Sequence, residues 1–295
     1  MEIGINQKYN KAQIEEIFKT NFGHSISGIN LRNQENGQKI ILLFSSVSGP
    51  YEDKVEGDEF FYMGEGQEGD QKLTNANKAL INSNQENKII YGFRKEDSKS
   101  TLWTYIGILK VIDYDYVSQN GRMVYEFKIQ ETEIESQKEL DKEQEFLYQE
   151  LDTAPILTEE RKTKQTYTKI KVRSAAFKTE VKKVYEDTCV VCGKRRYTKA
   201  KFPEVQAAHI FPVEKEGSDD LRNGISLCRL HHWAFDGGLF VITDNFKIKV
   251  RDEIKNDSNY EEIYSFDNKT IKLPQNPKLY PAEIYLKAHR EIHGF

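Results

Sequence analysis

The sequence predicts an α+β protein built as two domains joined by a helical connector. Three observations predict it. Residues 39–129 carry five strand-like apolar stretches separated by Gly, Asn and Asp. Residues 131–165 are acidic, with apolar residues at helical spacing. All three cysteines fall between 189 and 228, next to a pair of adjacent histidines. With 295 residues there is enough chain for two ordinary cores, and 12% aromatic content argues for packing rather than disorder.

The first element is a helix over roughly 10–22. Asn10 can cap it, Ile14, Ile17, Phe18 and Phe22 share a face, and Gly23 would stop it. Strands are expected at 39–44, 59–64, 88–93, 103–114 and 124–129, with one helix around Leu73–Leu80. Together, residues 1–130 read as a mixed domain on a curved sheet or barrel. The connector, 131–165, places Leu140, Phe146, Leu147 and Leu151 among Glu, Gln and Lys and ends near Pro155. A second helix over 174–185 buries Phe177, Val181, Val184 and Tyr185 and leads into Cys189, opening a domain over 166–295. Near its end, LFVITD and NFKIKV form a hairpin. The last helix, Pro281–His293, holds His289 and His293 four apart, read as packing or surface residues because no Cys or acid accompanies them.

Net charge is −4, but its distribution is uneven. Residues 131–160 hold 11 acidic and 2 basic residues, whereas 161–201 hold 14 basic and 3 acidic. A block that basic beside the cysteines suits a polyanion. There is no apolar run of membrane-spanning length, and the first residues lack the apolar core of a secretory signal. Clustered cysteines in such a chain read as metal ligands in a reducing cytoplasm rather than as disulfides.

Cys189-Val-Val-Cys192-Gly forms a knuckle able to grip one zinc ion. Cys228-Arg-Leu-His231 supplies a second pair at the same spacing, completing three sulfurs and one imidazole. The competing reading is three buried free cysteines. Between the pairs, a short apolar strand ends in His209, and a charged loop holds Asn223. His232 follows His231 directly. Neighbouring helical positions point about 100° apart, so His232 faces away from the zinc.

Cys189–Cys192, Ala208-His209-Ile210, Asn223–Cys228 and His231-His232-Trp233-Ala234-Phe235-Asp236 together resemble the HNH nucleases over roughly 170–242. The resemblance implies a zinc-stapled ββα-metal fold. It implies His209 as general base, Asn223 as the residue fixing the loop, and His232 as ligand of a catalytic Mg²⁺ or Mn²⁺. Many members place Asp or His before the base, where this chain has Ala208. Asp236 precedes two glycines and reads as a helix-end residue, so the expected site omits it.

Tyr51-Glu52-Asp53, Phe60-Phe61-Tyr62 and Asp70-Gln71-Lys72-Leu73-Thr74-Asn75-Ala76-Asn77 resemble the SRA family of modified-cytosine readers, with Tyr105–Val111 as a further strand. That likeness covers most of 40–130 and implies an SRA-like (PUA-like) curved β-barrel. A modified base would be flipped out, with Tyr51 and Tyr62 as flat walls and Asp53 accepting from the cytosine amino group. Phe60 and Phe61 read at least partly as sheet core. Reader plus nuclease implies a modification-dependent restriction endonuclease. It would act on double-stranded DNA carrying 5-methylcytosine or 5-hydroxymethylcytosine, as a homodimer or in two binding events if both strands are cut. The alternatives are an HNH nuclease reading an unmodified site and a non-catalytic modified-DNA-binding protein.

Overall fold

The computed structural model describes residues 3–295 except 35, 36, 47–54, 57, 58, 96, 98, 133 and 160–166. It divides into two compact units, residues 1–139 with 197–202, and residues 140–196 with 203–295.

The first unit starts with β1 (Lys8–Tyr9) and α1 (Lys11–Ile17). Asn10 caps α1 in a reciprocal capping box with Gln13. The helix is shorter than expected: Lys19 takes φ +47°, and the chain leaves the helical path well before Gly23. Phe18 and Phe22 still reach the apolar interior, Phe18 against Tyr91 at 4.8 Å and Phe22 against Phe44 at 5.5 Å. The helical spacing was therefore a packing signal, satisfied partly by irregular chain.

Then come β2 (Ile29–Asn33), β3 (Lys39–Ser46), β4 (Val55–Glu56), β5 (Glu59–Met63), α2 (Asn75–Ile81), β6 (Ile89–Lys95), β7 (Trp103–Gln119) and β8 (Arg122–Glu131). The strands form one eight-stranded sheet in the order β2-β3-β6-β7-β8-β5-β4, with β1 also on β7. Its order has two ends, and among the described residues no pairing joins β4 to β2 to close a barrel. β3 and β6 pair in parallel; the other pairs are antiparallel. Ile40–Phe44 are buried without a break, since the sheet is covered on both faces. One face packs Ile41, Leu43, Ile90, Leu109 and Phe127 against Ala79 and Leu80 of α2, and Ala200 joins this core. The other face is aromatic, with Phe44 stacked on Phe93 at 4.9 Å. Asn120 and Gly121, both at positive φ, make the two-residue turn of the long β7–β8 hairpin. Residues 197–202 belong to this unit through definite bonds: Asn84 donates to the carbonyls of Val111 and Ala200, and Thr198 donates to that of Ile112.

The second unit contains most of α3 (Gln137–Gln149), then α4 (Tyr167–Val184), β9 (Gln206–His209), β10 (Gly224–Leu227), α5 (Arg229–Asp236), β11 (Phe240–Ile242), β12 (Ile248–Val250), α6 (Glu261–Tyr264) and α7 (Glu283–His293). The segment 223–227, expected as a loop, is strand β10 apart from Asn223, and it pairs antiparallel with β9, Gly224 opposite His209. Leu227, Ile225 and Ser226 are all fully buried there, so a strand that short and two-sided shows no alternation to read. The acidic connector from Leu140 on is built into this unit, where Arg173 of α4 bonds Glu143 at 3.1 Å and Glu150 at 2.8 Å, pairing one member of the basic block with two of the acidic one. Tyr285 of α7 and Ser218 both donate to the carbonyl of Ile156. His289 is buried and stacks on Phe235 at 3.9 Å; burial pushes it down to about 3, so it packs as a neutral ring, as expected. No helix among the described residues is long and apolar enough to cross a membrane.

Candidate active site and metal centre

The knuckle between α4 and β9 turns at Gly193, whose φ of +66° lets the chain fold back after Cys192. Cys228 stands at the N-cap of α5, and His231 lies one turn into that helix. This brings Cys189, Cys192, Cys228 and His231 together, their donor atoms all within 4.8 Å of one another. His231 Nδ1 lies 3.0 Å from Cys228 Sγ and 3.5 Å from Cys189 Sγ. Donors bound tetrahedrally at about 2.0–2.3 Å stand roughly 3.5 Å apart, so the set fits a zinc ion. His231 Nε2 donates to the Glu262 carbonyl at 3.1 Å, which leaves the Nδ1 lone pair for the metal. Hydrogen bonds from the neighbouring thiols pull Cys192 down towards thiolate and push Cys189 up in return. Three sulfurs so close hold more negative charge than they can share, which a divalent cation relieves.

His209 ends β9. Its Nε2 is 2.9 Å from Asp219 Oδ1, and the carboxylate is 4% exposed. A carboxylate only accepts, so Nε2 carries the proton and Nδ1 keeps its lone pair. Among the described residues Nδ1 has no hydrogen-bond partner. Phe177 stacks on the imidazole at 4.1 Å, tilted by 13°, fixing the ring plane. Asn223 is fully buried. It accepts from Phe211 N at 2.8 Å and donates to the carbonyls of Phe211 and Ser218, tying the loop that carries Asp219 to the end of β9. Its bonds are all to backbone of the β9 end and of the Asp219 loop.

His232 faces away from His231, with its side chain 24% exposed. Nδ1 donates to Gln206 Oε1 at 2.7 Å, so Nε2 is left with its lone pair, 3.4 Å from Asp236 Oδ2. Two ligands of one cation at about 2.1 Å stand roughly 3.0–3.4 Å apart, which matches this pair. Burial raises the Asp236 carboxyl, and nearby Glu214 raises it further against the pull of His232. Asp236, a candidate ligand left out of the expected site, ends α5 as read and yet stands against His232. The i,i+4 spacing on α5 was the available signal, masked by the two glycines that follow. Asp219 was missed altogether, because no spacing rule links residues ten apart across a loop.

Gly224 allows α4 to approach. A Cβ there would sit 2.4 Å from Val181 Cγ2 and 2.8 Å from Phe177 Cζ. Gly224→Ala is expected to destabilise this unit by about 1–3 kcal/mol through overpacking, seen as a lowered Tm. An unchanged Tm would show that α4 can shift freely.

In the first unit, a cavity of about 530 Å³ is lined by Gly28, Phe44, Ser46, Tyr62, Glu65 and Gly66, among others. Tyr62 is 8% exposed, with its hydroxyl 3.5 Å from the Phe44 carbonyl. Tyr51 and Asp53 lie outside the described residues. Phe60 is core, as anticipated. The Asp70–Asn77 run has a clear task at this cavity. Gln71 Nε2 donates to the carbonyls of Gly64 and Gly66, and Asn77 accepts from Glu65 N while donating to the Glu65 carbonyl. Thr74 caps α2, and Asp70 accepts from Met123 N. The motif pins the 64–66 turn at the cavity rim.

Residues 189–243 match the family described as HNH endonuclease, and residues 7–147 match the ScoMcrA-like SRA domain. No curated protein matches the sequence. Among solved structures, the modification-dependent TagI restriction endonuclease is similar at 21% identity and TM-score 0.52, over 99% of this chain and 92% of that one. An SRA domain of SUVH5, solved with methylated CHH DNA, is similar at 24% identity and TM-score 0.34, over 44% of this chain and 88% of that one.

Proposed function

Because this chain joins an SRA domain to an HNH endonuclease domain, we propose that it captures a modified cytosine from duplex DNA and hydrolyses a phosphodiester nearby. The observation that carries the catalytic half is the His209–Asp219 pair, with one imidazole nitrogen committed and the other open. The reading half rests on the cavity whose rim the Asp70–Asn77 run braces. The extruded 5-methylcytosine or 5-hydroxymethylcytosine would stack on Tyr62 and Tyr51, with Asp53 accepting from its amino group.

His209 Nδ1 takes a proton from water while the water oxygen attacks phosphorus and the P–O3′ bond breaks. The products are a 5′-phosphate and a 3′-hydroxyl, the leaving oxygen drawing its proton from solvent. Asp219 holds the ring in the required tautomer and offsets the charge it gains. Asn223 keeps the Asp219 loop in place. His232 and Asp236 would hold Mg²⁺ or Mn²⁺, which when bound stabilises charge on the phosphate. Cys189, Cys192, Cys228 and His231 hold a structural Zn²⁺. One such centre cuts one strand, so a double-strand break calls for a homodimer. Cysteines kept as thiols suit the cytoplasm.

The test is cleavage of otherwise identical duplexes containing C, 5-methyl-C, 5-hydroxymethyl-C or glucosylated hydroxymethyl-C, with Mg²⁺ and Mn²⁺ compared. Cutting confined to modified duplexes is expected. Equal cutting of the unmodified duplex would mean a nuclease reading another feature. Selective binding with no cutting under either cation would mean a reader alone.

A further inference from the structure

The short helix α5 is anchored by His231, Ala234 and Phe235, all buried. Trp233 points the other way and is 58% exposed. Among the described residues its indole has neither a ring partner nor a hydrogen bond for its N–H. The chain's other tryptophan behaves differently: Trp103 packs edge-on to Phe44 at 4.9 Å, with Lys95 over its ring. More than half of the Trp233 side chain is thus left to solvent. Yet a tryptophan carries the largest apolar surface of any residue, with a polar N–H at its edge, and suits a partner that is flat on one side and wet on the other.

Position identifies that partner. Trp233 follows His232 directly, about 1.5 Å along the helix and about 100° around it. Asp236 lies three residues on, and Arg229 one turn back, exposed on the same side. The Arg229 backbone N–H binds Glu204 Oε1 at 3.1 Å, and the half-exposed Arg196 reaches the other oxygen of that carboxylate at 3.9 Å. Arg229 thus opens α5 with the Arg196 guanidinium near Glu204, and Asp236 closes it, exposed like Trp233 and only about 60° around the helix from it. Successive nucleotides rise about 3.4 Å along a strand, so a phosphate held at the His232–Asp236 pair puts its neighbouring nucleotide within reach of the indole.

We propose that Trp233 is a DNA wedge that stacks on the nucleobase adjoining the scissile phosphate. This rests on the nuclease reading above and adds the contact that sets where the cut falls. The indole supplies sequence-tolerant stacking area, Arg229 and Arg196 supply the phosphate contacts, and the ion site completes the strip.

The experiment compares the full chain with Trp233→Ala and Trp233→Phe on a 5-methylcytosine duplex. Binding is read by anisotropy without divalent cation, so the answer does not depend on cleavage. 2-Aminopurine is stepped through the positions flanking the modified base. Trp233→Ala is expected to weaken binding roughly 5- to 150-fold, to leave the salt dependence unchanged and to abolish a local 2-aminopurine brightening. Trp233→Phe should retain most of both. Arg229→Ala should instead reduce the salt slope by about one. Unaltered affinity and fluorescence in Trp233→Ala would overturn the wedge while leaving the nuclease assay intact. So would sedimentation showing that Trp233→Ala dissociates a dimer formed by the parent protein, because the indole would then be a subunit contact.

Discussion

Replacing His209 with alanine is expected to lower the single-turnover cleavage rate by about 10²–10⁴-fold while modified-DNA binding persists. The imidazole is held from three sides. Asp219 accepts a hydrogen bond from its Nε2–H, Phe177 covers one face, and Asn223 pins the loop behind it. Alanine removes the imidazole whose open Nδ1 can accept a proton from water, while the reading cavity belongs to the other unit. Asp219→Asn is the sharper companion. A carboxamide can donate to Nε2 and so favour the tautomer that protonates Nδ1, the nitrogen needed as base. Its rate should also fall by about 10²-fold or more, with the imidazole ¹⁵N shifts reporting the switched proton. A structural role alone would lower stability without changing the tautomer. Cleavage by His209→Ala at the parent rate would remove His209 as the base.

Stripping zinc with a strong chelator, or changing Cys228 to Ser, is expected to unfold the nuclease unit and leave the reader sheet folded. The four ligands join the knuckle after α4 to the start of α5, and through Glu262 to α6. The same helix carries His232 and Asp236 on its other side. Without the ion, three sulfurs, two of them buried, remain crowded together, and zinc in sites of this kind contributes on the order of 10 kcal/mol at neutral pH. One zinc per chain by elemental analysis, a biphasic melt after chelation and recovery on adding Zn²⁺ are the expected results. A chelated protein melting in one unchanged step would show that the cluster holds no structural ion.

Much of this molecule was legible because its chemistry is local in the chain. The Cys-x-x-Cys and Cys-x-x-His pairs need only a tight turn and one helical turn, so spacing alone fixes their geometry. The side-chain cap at Asn10 is similarly short in range. Even the 70–77 run was recognisable as a motif, although only the structure shows that Gln71 and Asn77 grip backbone at the cavity rim.

The primary structure by itself determined the α+β character, the three-cysteine, one-histidine cluster able to hold a metal ion, the histidine at the end of the strand and the second histidine facing away from that cluster. Each follows from bond geometry within a few residues. Tertiary structure decided that β10 is a strand, that Arg173 of α4 pairs with carboxylates of the connector and that Asp219 meets His209. Those outcomes depend on which surfaces a folded chain leaves covered, and burial and charge pairing across long loops are set by packing rather than by adjacency.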